Sequence, residues 1–517
     1  MRNLLFVLLF SVEFISGTNI VNAQYANVSK WPAGISYEIF VQSFCDSDGD
    51  GKGDIKGMTS KLDYLKNLGV EAVWLMPMNP SPSYHKYDVT DYYGIHPDYG
   101  TIADFKNFVK EAHQRNIKVV IDMVLNHCSN QHPWFVDAAK NENNPYFDYF
   151  VWTHKDDPQV KVFVDIINED SRNRNRWNKV EGSDYLYYSY FGSHMPDLNY
   201  NSPKLREEIF KIGRYWLTKM GIDGFRLDAA KHIFPEERAK ESQAWWVYFL
   251  SEMQKVKKDI YLVGEVWAPS DQVAPYLKGI PALFNFDIAA AIKKAVNEEQ
   301  SDSLLIKQKK IEEYYTTVNP QFIDATFLTN HDQDRMMSSV DNNINKAKMG
   351  AALLLTLPGS PYLYYGEEIG MRGKEPDEYI REPFLWDDIK NDKNRTTWIK
   401  PLYNSDSTIE PLAKQLKDKN SLVNYYKSFI ALRNNSKALT FGELIPIDLG
   451  KSALCAFQRS FEDENLLVIH NLSQTAINIS LLESLKEYDI VIFETKDSNL
   501  KKNALHLASY STLVLKK

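Results

Sequence analysis

Carboxylates stand at the ends of three short apolar segments of this 517-residue chain. The segments are residues 224–228, 261–265 and 325–332, and they end in Asp228, Glu265 and Asp332. Short runs of β-prone residues predict buried strands. Because an unpaired buried charge is too costly for core packing, acids at the same end of three strands predict a converging site. We therefore expect an enzyme.

A second group of acids lies in residues 46–54, which alternate acids with small or flexible residues. Calcium is a hard cation that prefers several such oxygens around one turn. An EF-hand would require Glu at the twelfth position of the loop, but Gly57 stands there. The loop therefore predicts either a calcium site of another type or an acidic surface turn.

The segments between residues 35 and 370 indicate what must position the acids at the strand ends. Thr101 and Asp104 resemble a helix capping box, and Ser202 followed by Pro203 resembles an N-cap with proline at the first helical position. Eight strands with helical crossovers predict an α/β fold, a (β/α)8 TIM barrel, with a doubly wound sheet as the alternative. The predicted strands are residues 35–41, 72–76, 119–123, 224–227, 261–263, 283–286, 325–328 and 362–365.

Two further regions depart from this alternation. Residues 127–201 are polar and too long for a simple crossover, so we expect a small inserted domain after the third strand. Beyond residue 438, short alternating segments predict a C-terminal antiparallel β-sandwich. The expected division is a signal peptide at 1–23, the barrel at 24–126 and 202–438, the inserted domain at 127–201 and the sandwich at 439–517.

The net charge and the composition indicate which kinds of molecule the protein binds. A net charge of −8 and a pI near 5.8 argue against nucleic acid or an anionic membrane. Aromatic residues make up 13% of the chain, and because aromatic rings stack on sugars, a neutral carbohydrate fits this balance. Three cysteines provide no disulfide framework. We expect a monomer.

The first residues resemble an export signal. Arg2 precedes an apolar stretch at residues 4–10, and the small-residue pattern Val21-Asn22-Ala23 precedes Gln24. We therefore expect an exported protein, periplasmic or extracellular, with a buried first helix as the alternative. No later run approaches the roughly 20 apolar residues of a membrane span.

The strand-end motifs resemble those of the α-amylase family of glycoside hydrolases. Residues 122–127, 224–228, 264–267 and 330–332 match the family's four main strand motifs in order, and residues 195–199 match a fifth. The resemblance covers almost the whole chain after the signal. Met195-Pro196-Asp197-Leu198-Asn199 also resembles an intermediate group between oligo-1,6-glucosidases and neopullulanases, a group that includes α-amylases.

The resemblance implies a role for each strand-end acid. Retaining glycoside hydrolysis needs two carboxyl groups roughly 5 Å apart, and the family implies Asp228 as nucleophile and Glu265 as acid/base. Asp332 resembles the third acid, which binds sugar hydroxyls. Arg226 lies on the same side of its strand as Asp228 and would keep that carboxylate ionised. Structural ion pairs at the barrel end are the alternative.

The resemblance also implies substrate contacts. Tyr87 would stack on the sugar at the cleavage site, and we expect Lys86, where glycine is common, to alter the rim of the site. Lys231-His232 is typical of α-amylases, where it contacts the glucose beyond the cleavage point. Hydrogen bonds to the substrate are implied for His85, His127 and His331.

The resemblance further implies a calcium ion in the acidic loop. Lys52 would supply its carbonyl, and the carboxylates would come from Asp46, Asp48, Asp50 and Asp54. In many α-amylases another calcium joins the barrel to the inserted domain through residues matching Asn126, Asp197 and the carbonyl of His232. A fourth ligand from residues 141–184 is not assigned, so Asn126 and Asp197 as hydrogen-bonded structural residues stay the alternative.

These motifs favour an endo-acting hydrolase of α-1,4-glucosidic bonds in starch, glycogen or maltooligosaccharides. Exo-acting α-glucosidases usually carry Asp three residues before the stacking tyrosine, where this chain has Tyr84. The acidic loop is also common among oligo-1,6-glucosidases, so an exo-acting α-glucosidase or oligo-1,6-glucosidase, or a neopullulanase-like enzyme, is the alternative. A non-catalytic carbohydrate-binding relative would typically lack a catalytic acid, and all three are present.

Overall fold

Eight parallel strands close into a barrel in the computed structural model, which describes residues 32–158, 160, 176–301 and 303–517. This confirms the TIM barrel and excludes the doubly wound alternative. The predicted signal peptide lies outside the described residues. The strands, in their order around the barrel, are β1 (Ser36–Ile39), β11 (Ser360–Tyr364), β10 (Ile323–Phe327), β9 (Ala282–Phe284), β8 (Tyr261–Gly264), β7 (Gly224–Leu227), β3 (Lys118–Met123) and β2 (Ala72–Leu75).

Helices surround the barrel, and both predicted helix starts are confirmed. Thr101 and Asp104 form a capping box, and Ser202 accepts a hydrogen bond from the backbone of Leu205 ahead of a helix that begins at Pro203. The described helices are α1 (Val41–Phe44), α2 (Ile55–Ser60), α3 (Leu62–Leu68), α4 (Ile102–Gln114), α5 (Pro133–Ala138), α6 (Pro203–Tyr215), α7 (Ala239–Gln254), α8 (Ser270–Val273), α9 (Phe286–Glu298), α10 (Leu304–Val318), α11 (Met336–Ser339), α12 (Ile344–Thr356), α13 (Asp377–Ile380), α14 (Leu412–Gln415), α15 (Leu422–Asn434) and α16 (Lys437–Phe441).

The barrel interior is filled by side chains rather than open. Trp74, Phe284, Phe327 and Tyr362 pack there with smaller apolar residues. A filled barrel leaves the chemistry to the loops at the carboxyl ends of the strands. Among the helices that the structure describes, none combines the length and apolar character that a membrane crossing requires.

A small antiparallel sheet lies between β3 and α6. It consists of β4 (Trp152–His154), β6 (Tyr185–Tyr188) and β5 (Trp177–Lys179), in that spatial order. Two isolated bridges pair the end of the insertion with its start, through His127 and Asp197, and with its middle, through Phe150 and Leu198. The insertion therefore returns to the top of the barrel, where the strand-end acids lie.

The C-terminal region forms two antiparallel sheets with an apolar core between them. Helix α16 crosses the expected boundary at residue 438, and the first strand of the region begins at Glu443. The sequence patterns did not identify three short strands of this region, Glu443–Ile447, Asn499–Lys501 and Ala504–Leu507. The sheets are β12 (Glu443–Ile447), β13 (Leu454–Phe461), β14 (Glu464–Asn471), β19 (Ser511–Lys516) and β16 (Ile490–Glu494), and β15 (Ile477–Ser480), β18 (Ala504–Leu507) and β17 (Asn499–Lys501).

Two buried arginines meet the carboxyl end of helix α12, Arg459 from the C-terminal region and Arg433 from helix α15. Arg459 donates 2.6 Å to the Thr356 carbonyl, and Arg433 donates 3.0 Å to the Leu355 carbonyl and 2.9 Å to the Leu357 carbonyl. A helix leaves its last carbonyls unpaired and carries partial negative charge there. Both guanidinium groups therefore satisfy the helix end, and the contact of Arg459 also attaches the C-terminal domain to the barrel.

Candidate active site

Arg226 lies at the centre of the converging acids. From the end of β7 its Nη1 donates 2.6 Å to Asp228 Oδ1 and 3.0 Å to Asp122 Oδ2, and its Nη2 donates 2.7 Å to Glu265 Oε2. The guanidinium and the Asp122 carboxylate are fully buried. One planar cation therefore holds three carboxyl groups in fixed relative positions, and it brings the predicted Asp228 and Glu265 close together.

Arg226 does not offset the effect of burial on Asp228, contrary to the expectation that it would keep this carboxylate ionised. Burial raises the pKa of Asp228 to about 8, with Glu265 and Asp122 adding to the shift and Arg226 opposing it. Two carboxyl groups side by side can serve as a nucleophile and a proton donor.

Asp332 is ionised for a different reason. Burial raises its pKa, but His331 and Arg381 outweigh that effect and hold the pKa of Asp332 well below its usual range. Arg381 Nη2 donates 2.8 Å to Asp332 Oδ1 and 2.9 Å to Asp377 Oδ2. Sequence reasoning missed Arg381, which follows helix α13 rather than a strand.

Tyr87 and His331 form a stacked pair beside these acids. Their ring centroids are 5.6 Å apart at 12°, and the Tyr87 hydroxyl lies 2.6 Å from His331 Nε2. The same hydroxyl donates 3.2 Å to Asp122. Glu38, a strand residue that the sequence did not single out, lies 2.5 Å from His331 Nδ1.

A cleft of about 500 Å³ opens over the acids, and most of the predicted substrate residues line it. Phe191 and Trp267, two exposed aromatic residues absent from the sequence predictions, stand at its edge. Exposed rings at a cleft edge offer stacking surfaces. The predicted residues on the cleft wall are Asp228, Glu265, Asp332, His85, Tyr87, His127, Lys231 and His232, whereas Arg226 and His331 support it from below.

The cleft histidines are neutral, in contrast to His331. Burial lowers the pKa of His127 to about 3, of His232 to about 3 and of His85 to about 4. A neutral imidazole keeps one donor and one acceptor nitrogen. His127 has a buried Nε2 without a hydrogen-bond partner in the described part of the chain, which is the kind of group that a sugar hydroxyl satisfies.

The expectation that Lys86 alters the rim is wrong. Its φ of 65° explains why glycine suits this position, but its side chain is buried and donates 2.7 Å to the Ser83 carbonyl. It lies 5.6 Å from the centre of the Tyr99 ring. Lys86 therefore stabilises the loop that carries Tyr87 from below.

The acidic loop gathers part of its predicted ligand set. Carboxylate oxygens of Asp46, Asp48 and Asp50 lie within 4.8 Å of one another, a donor set that suits calcium. Asp54 lies outside this group and accepts hydrogen bonds from Ser47 and from the backbone of Gly57 at the start of helix α2. The Lys52 ammonium donates 2.6 Å to Asp98, away from the cluster.

The residues of the other predicted calcium site meet and bond to one another. Asn126 Nδ2 donates 2.6 Å to the His232 carbonyl and 3.4 Å to Asp197 Oδ2. Asn126 Oδ1 lies 3.0 Å from His127 Nδ1. Burial raises the pKa of Asp197 to about 7. An amide thus bridges the carboxylate and the carbonyl that a cation would join.

Comparison with known proteins shows that two family models match this chain. The family described as "Alpha amylase, catalytic domain" matches residues 38–442, and the family described as "Alpha-amylase SusG C-terminal domain" matches residues 454–514. Alpha-amylase 3 of Dictyoglomus thermophilum is 43% identical over 513 residues, which cover 99% of this chain and 97% of the relative.

Two further matches show how widely the likeness extends. An oligo-1,6-glucosidase of Parageobacillus thermoglucosidasius is 31% identical, over 90% of this chain and 93% of the relative. The crystal structure of the α-amylase from H. orenii superposes with a TM-score of 0.85 at 42% identity, over 94% of this chain and 99% of the other.

Proposed function

Because the chain belongs to the α-amylase family of glycoside hydrolases, we propose that it cleaves internal α-1,4-glucosidic bonds of starch, glycogen or maltooligosaccharides with retention of configuration. One observation carries the proposal: Arg226 joins Asp228 and Glu265 through adjacent nitrogens at 2.6 and 2.7 Å. Carboxyl groups bridged by one guanidinium lie close together, as a retaining mechanism with its separation of roughly 5 Å requires.

Asp228 and Glu265 divide the chemistry. Asp228 attacks the anomeric carbon and forms a covalent glycosyl-enzyme, while Glu265 gives its proton to the departing glycosidic oxygen. Glu265 then takes a proton from water, which attacks the same carbon and releases Asp228. The attack needs Asp228 in its ionised form, which burial disfavours and Arg226 favours.

Asp332 acts on the sugar rather than on the bond. Its ionised carboxylate accepts hydrogen bonds from the hydroxyls of the sugar being cleaved, and Arg381 and His331 fix its orientation. Hydrogen bonds of this type strengthen as the ring distorts towards its oxocarbenium form. Tyr87 stacks against the same sugar, since its ring lies on the cleft wall.

Two positions favour a long α-1,4-glucan over a terminal glucose. Lys231 and His232 line the cleft beyond the acids, and Lys231 donates 2.9 Å to the Trp267 carbonyl, which orders that edge. Tyr84 stands where exo-acting relatives have a carboxylate, and it stacks on Trp398 with ring centroids 5.3 Å apart. Exo-acting α-glucosidase, oligo-1,6-glucosidase or neopullulanase-like activity is the competing assignment.

Product analysis separates these assignments. We expect soluble starch to lose viscosity faster than reducing ends accumulate, with little hydrolysis of isomaltose or pullulan. Glucose as the sole early product, or preference for isomaltose, would favour the competing assignment. Asp228→Asn is the control and should lower kcat by at least about 10⁴-fold, because it removes the nucleophile.

We further propose that the acidic loop holds one calcium ion, through Asp46, Asp48 and Asp50. Bound calcium would stabilise the fold without entering the reaction, by about 2.7 kcal/mol at a concentration one hundred times Kd. Calcium should raise Tm after chelation, and Asp48→Asn with Asp50→Asn should abolish that rise. A wild-type Tm that changes with neither chelator nor calcium would contradict the site.

The contacts at the other predicted position favour the hydrogen-bonded alternative over a calcium ion. The Asn126 amide already links Asp197 to the His232 carbonyl, and a cation there would need Asn126 to present its oxygen instead. We therefore expect one calcium per chain by calorimetric titration. A stoichiometry of two calcium ions per chain would instead support a calcium site at Asn126 and Asp197.

We also propose that the protein is exported and acts as a monomer. The pattern of Arg2, the apolar stretch and Val21-Asn22-Ala23 supports cleavage before Gln24. Amino-terminal sequencing of the native protein tests export, and its mass measured by scattering tests whether it is a monomer. A mature chain that begins at Met1 would contradict export, and a dimer would contradict the monomer.

A further inference from the structure

Glu38 is a buried carboxylate that the mechanism above does not use. It lies on β1, is 2% exposed, and contacts His331 Nδ1 at 2.5 Å. His331 is 0% exposed. A buried charge is retained only when it is paired, and His331 is the cation that pairs with this one.

The other nitrogen of His331 also faces oxygen. Nε2 lies 3.1 Å from Asp332 Oδ2 and 2.6 Å from the Tyr87 hydroxyl. A neutral imidazole can donate from only one nitrogen. With a carboxylate at each end of the ring, the doubly protonated form satisfies both contacts.

We propose that Glu38 is a positioning residue that holds His331 as an imidazolium and thereby keeps Asp332 ionised and aligned for the sugar. The proposal rests on the function assigned above to Asp332. Glu38 touches neither Asp332 nor the cleft, so its effect on the reaction passes through His331.

The charges around His331 support this form. Carboxylates approach from β1 (Glu38), from β3 (Asp122) and from its own segment (Asp332). Burial lowers the pKa of His331, but Asp332 and Glu38 outweigh burial and raise it to about 10. The other charged or titratable groups nearby are Tyr87, Arg226 and Arg381.

Glu38→Gln tests the proposal because it removes the charge and keeps the shape. Activity needs the imidazolium, so it should be lost as pH rises through the pKa of His331. The variant lowers that pKa and should bring an alkaline limb into the neutral range. We expect kcat/KM on a maltooligosaccharide within a few-fold of wild type at pH 6 and at least about tenfold lower at pH 9.

Asp324→Asn is the matched control. Asp324 is a buried carboxylate on β10 that accepts a hydrogen bond from Asn285, at the opposite end of the barrel. The same carboxylate-to-amide change there should alter Tm and leave the pH profile unshifted. A similar alkaline limb in Asp324→Asn would mean that Glu38→Gln acts through stability, and would overturn the proposal.

The protonation of His331 can be measured without turnover or mutation. In protein labelled with ¹³C-histidine, the wild-type His331 resonance should stay in its imidazolium position up to about pH 9. Titration of wild-type His331 near its ordinary value, about 6.5, would overturn the proposal. An unshifted resonance in Glu38→Gln would do the same.

These readouts separate the proposal from the assigned function. If wild-type protein cleaved no α-glucan, the function would fail, whereas the His331 titration would still decide whether Glu38 fixes the imidazolium. If Glu38→Gln did not fold, the wild-type titration and Glu38→Asp would remain. Glu38→Asp keeps the charge, so it should retain the imidazolium resonance while kcat falls.

Discussion

At the scale of single residues, two buried arginines set the charge states on which the assigned chemistry depends. Arg226 joins Asp228 to Glu265 and opposes the effect of burial on the Asp228 pKa. Arg381 holds Asp332 ionised from the other side of the site. Carboxylates with similar sequence surroundings therefore reach different protonation states because their cationic neighbours differ.

Replacing Arg381 should expose this dependence. Arg381→Met removes a cation from Asp332, so the depressed pKa of that carboxyl should rise towards its ordinary value of about 3.9. Activity needs the ionised form and is lost as pH falls through this pKa. The acid limb of kcat/KM should therefore move to higher pH. Near neutrality Asp332 stays ionised, and a loss of about 10²-fold or more is expected there because Arg381 no longer aligns its carboxylate.

The control for this variant is Arg115→Met. Arg115 forms surface ion pairs with Asp63 and Glu111 away from the cleft, and such pairs contribute little. Its pH profile should match wild type. An acid limb that stays in place in Arg381→Met would contradict the assignment of Arg381 to Asp332.

Sequence could predict the acids but not the residues that tune them. Asp228, Glu265 and Asp332 each follow an apolar strand, which is a local signal. Arg381 is separated by 49 residues from Asp332, and Glu38 by 293 from His331. Glu38 also lies inside an apolar run, where it looks like an ordinary strand position. Such partners meet only in the folded barrel, so patterns in the sequence do not identify them.

At the scale of secondary-structure elements, the sequence predicted the elements that have strong local signals and missed those whose signals are weak. The eight barrel strands had short, mostly apolar β-prone runs, and the two helix starts had capping residues. Strands β17 and β18 are only three and four residues long and carry mixed polar side chains, so no periodicity identified them. Their position depends on pairing across the sheet rather than on local propensity.

Helix α12 provides a test at this scale. Arg459→Met removes the donor to the Thr356 carbonyl at the helix end and to the Gly442 carbonyl. Buried carbonyls without donors cost about 1–3 kcal/mol each, so we expect the free energy of unfolding to fall by a few kcal/mol. Chemical denaturation measures this; an unchanged midpoint would show that the contacts contribute nothing.

At the scale of the whole molecule, the C-terminal domain and the barrel stabilise each other. Arg459 crosses to helix α12, and the Tyr510 hydroxyl donates 2.5 Å to Glu299 at the end of helix α9. His470 lies 3.0 Å from the Thr356 hydroxyl. Arg459, His470, Tyr510 and Thr356 are buried, so separating the domains breaks hydrogen bonds that form in the interior of the protein.

Truncation after Gly442 should therefore destabilise the barrel although it removes no cleft residue. We expect the shortened protein to be insoluble or to unfold at least about 10 °C lower than wild type, since losses of several kcal/mol shift Tm by that much. Co-expression of residues 443–517 should restore part of the stability. A truncated barrel with wild-type Tm would show that the domains are independent.

The carboxylates at the cleft outnumber the cations that contact them. Among the described residues, Arg226, His331 and Arg381 face six carboxyl groups at the cleft or directly below it: Glu38, Asp122, Asp228, Glu265, Asp332 and Asp377. In its ionised form the free site is therefore short of positive charge, and electroneutrality is approached only when the substrate itself becomes cationic. A sugar mimic with a protonated ring nitrogen should thus inhibit at least about tenfold better than its neutral counterpart. Equal inhibition by the two would show that this imbalance is screened.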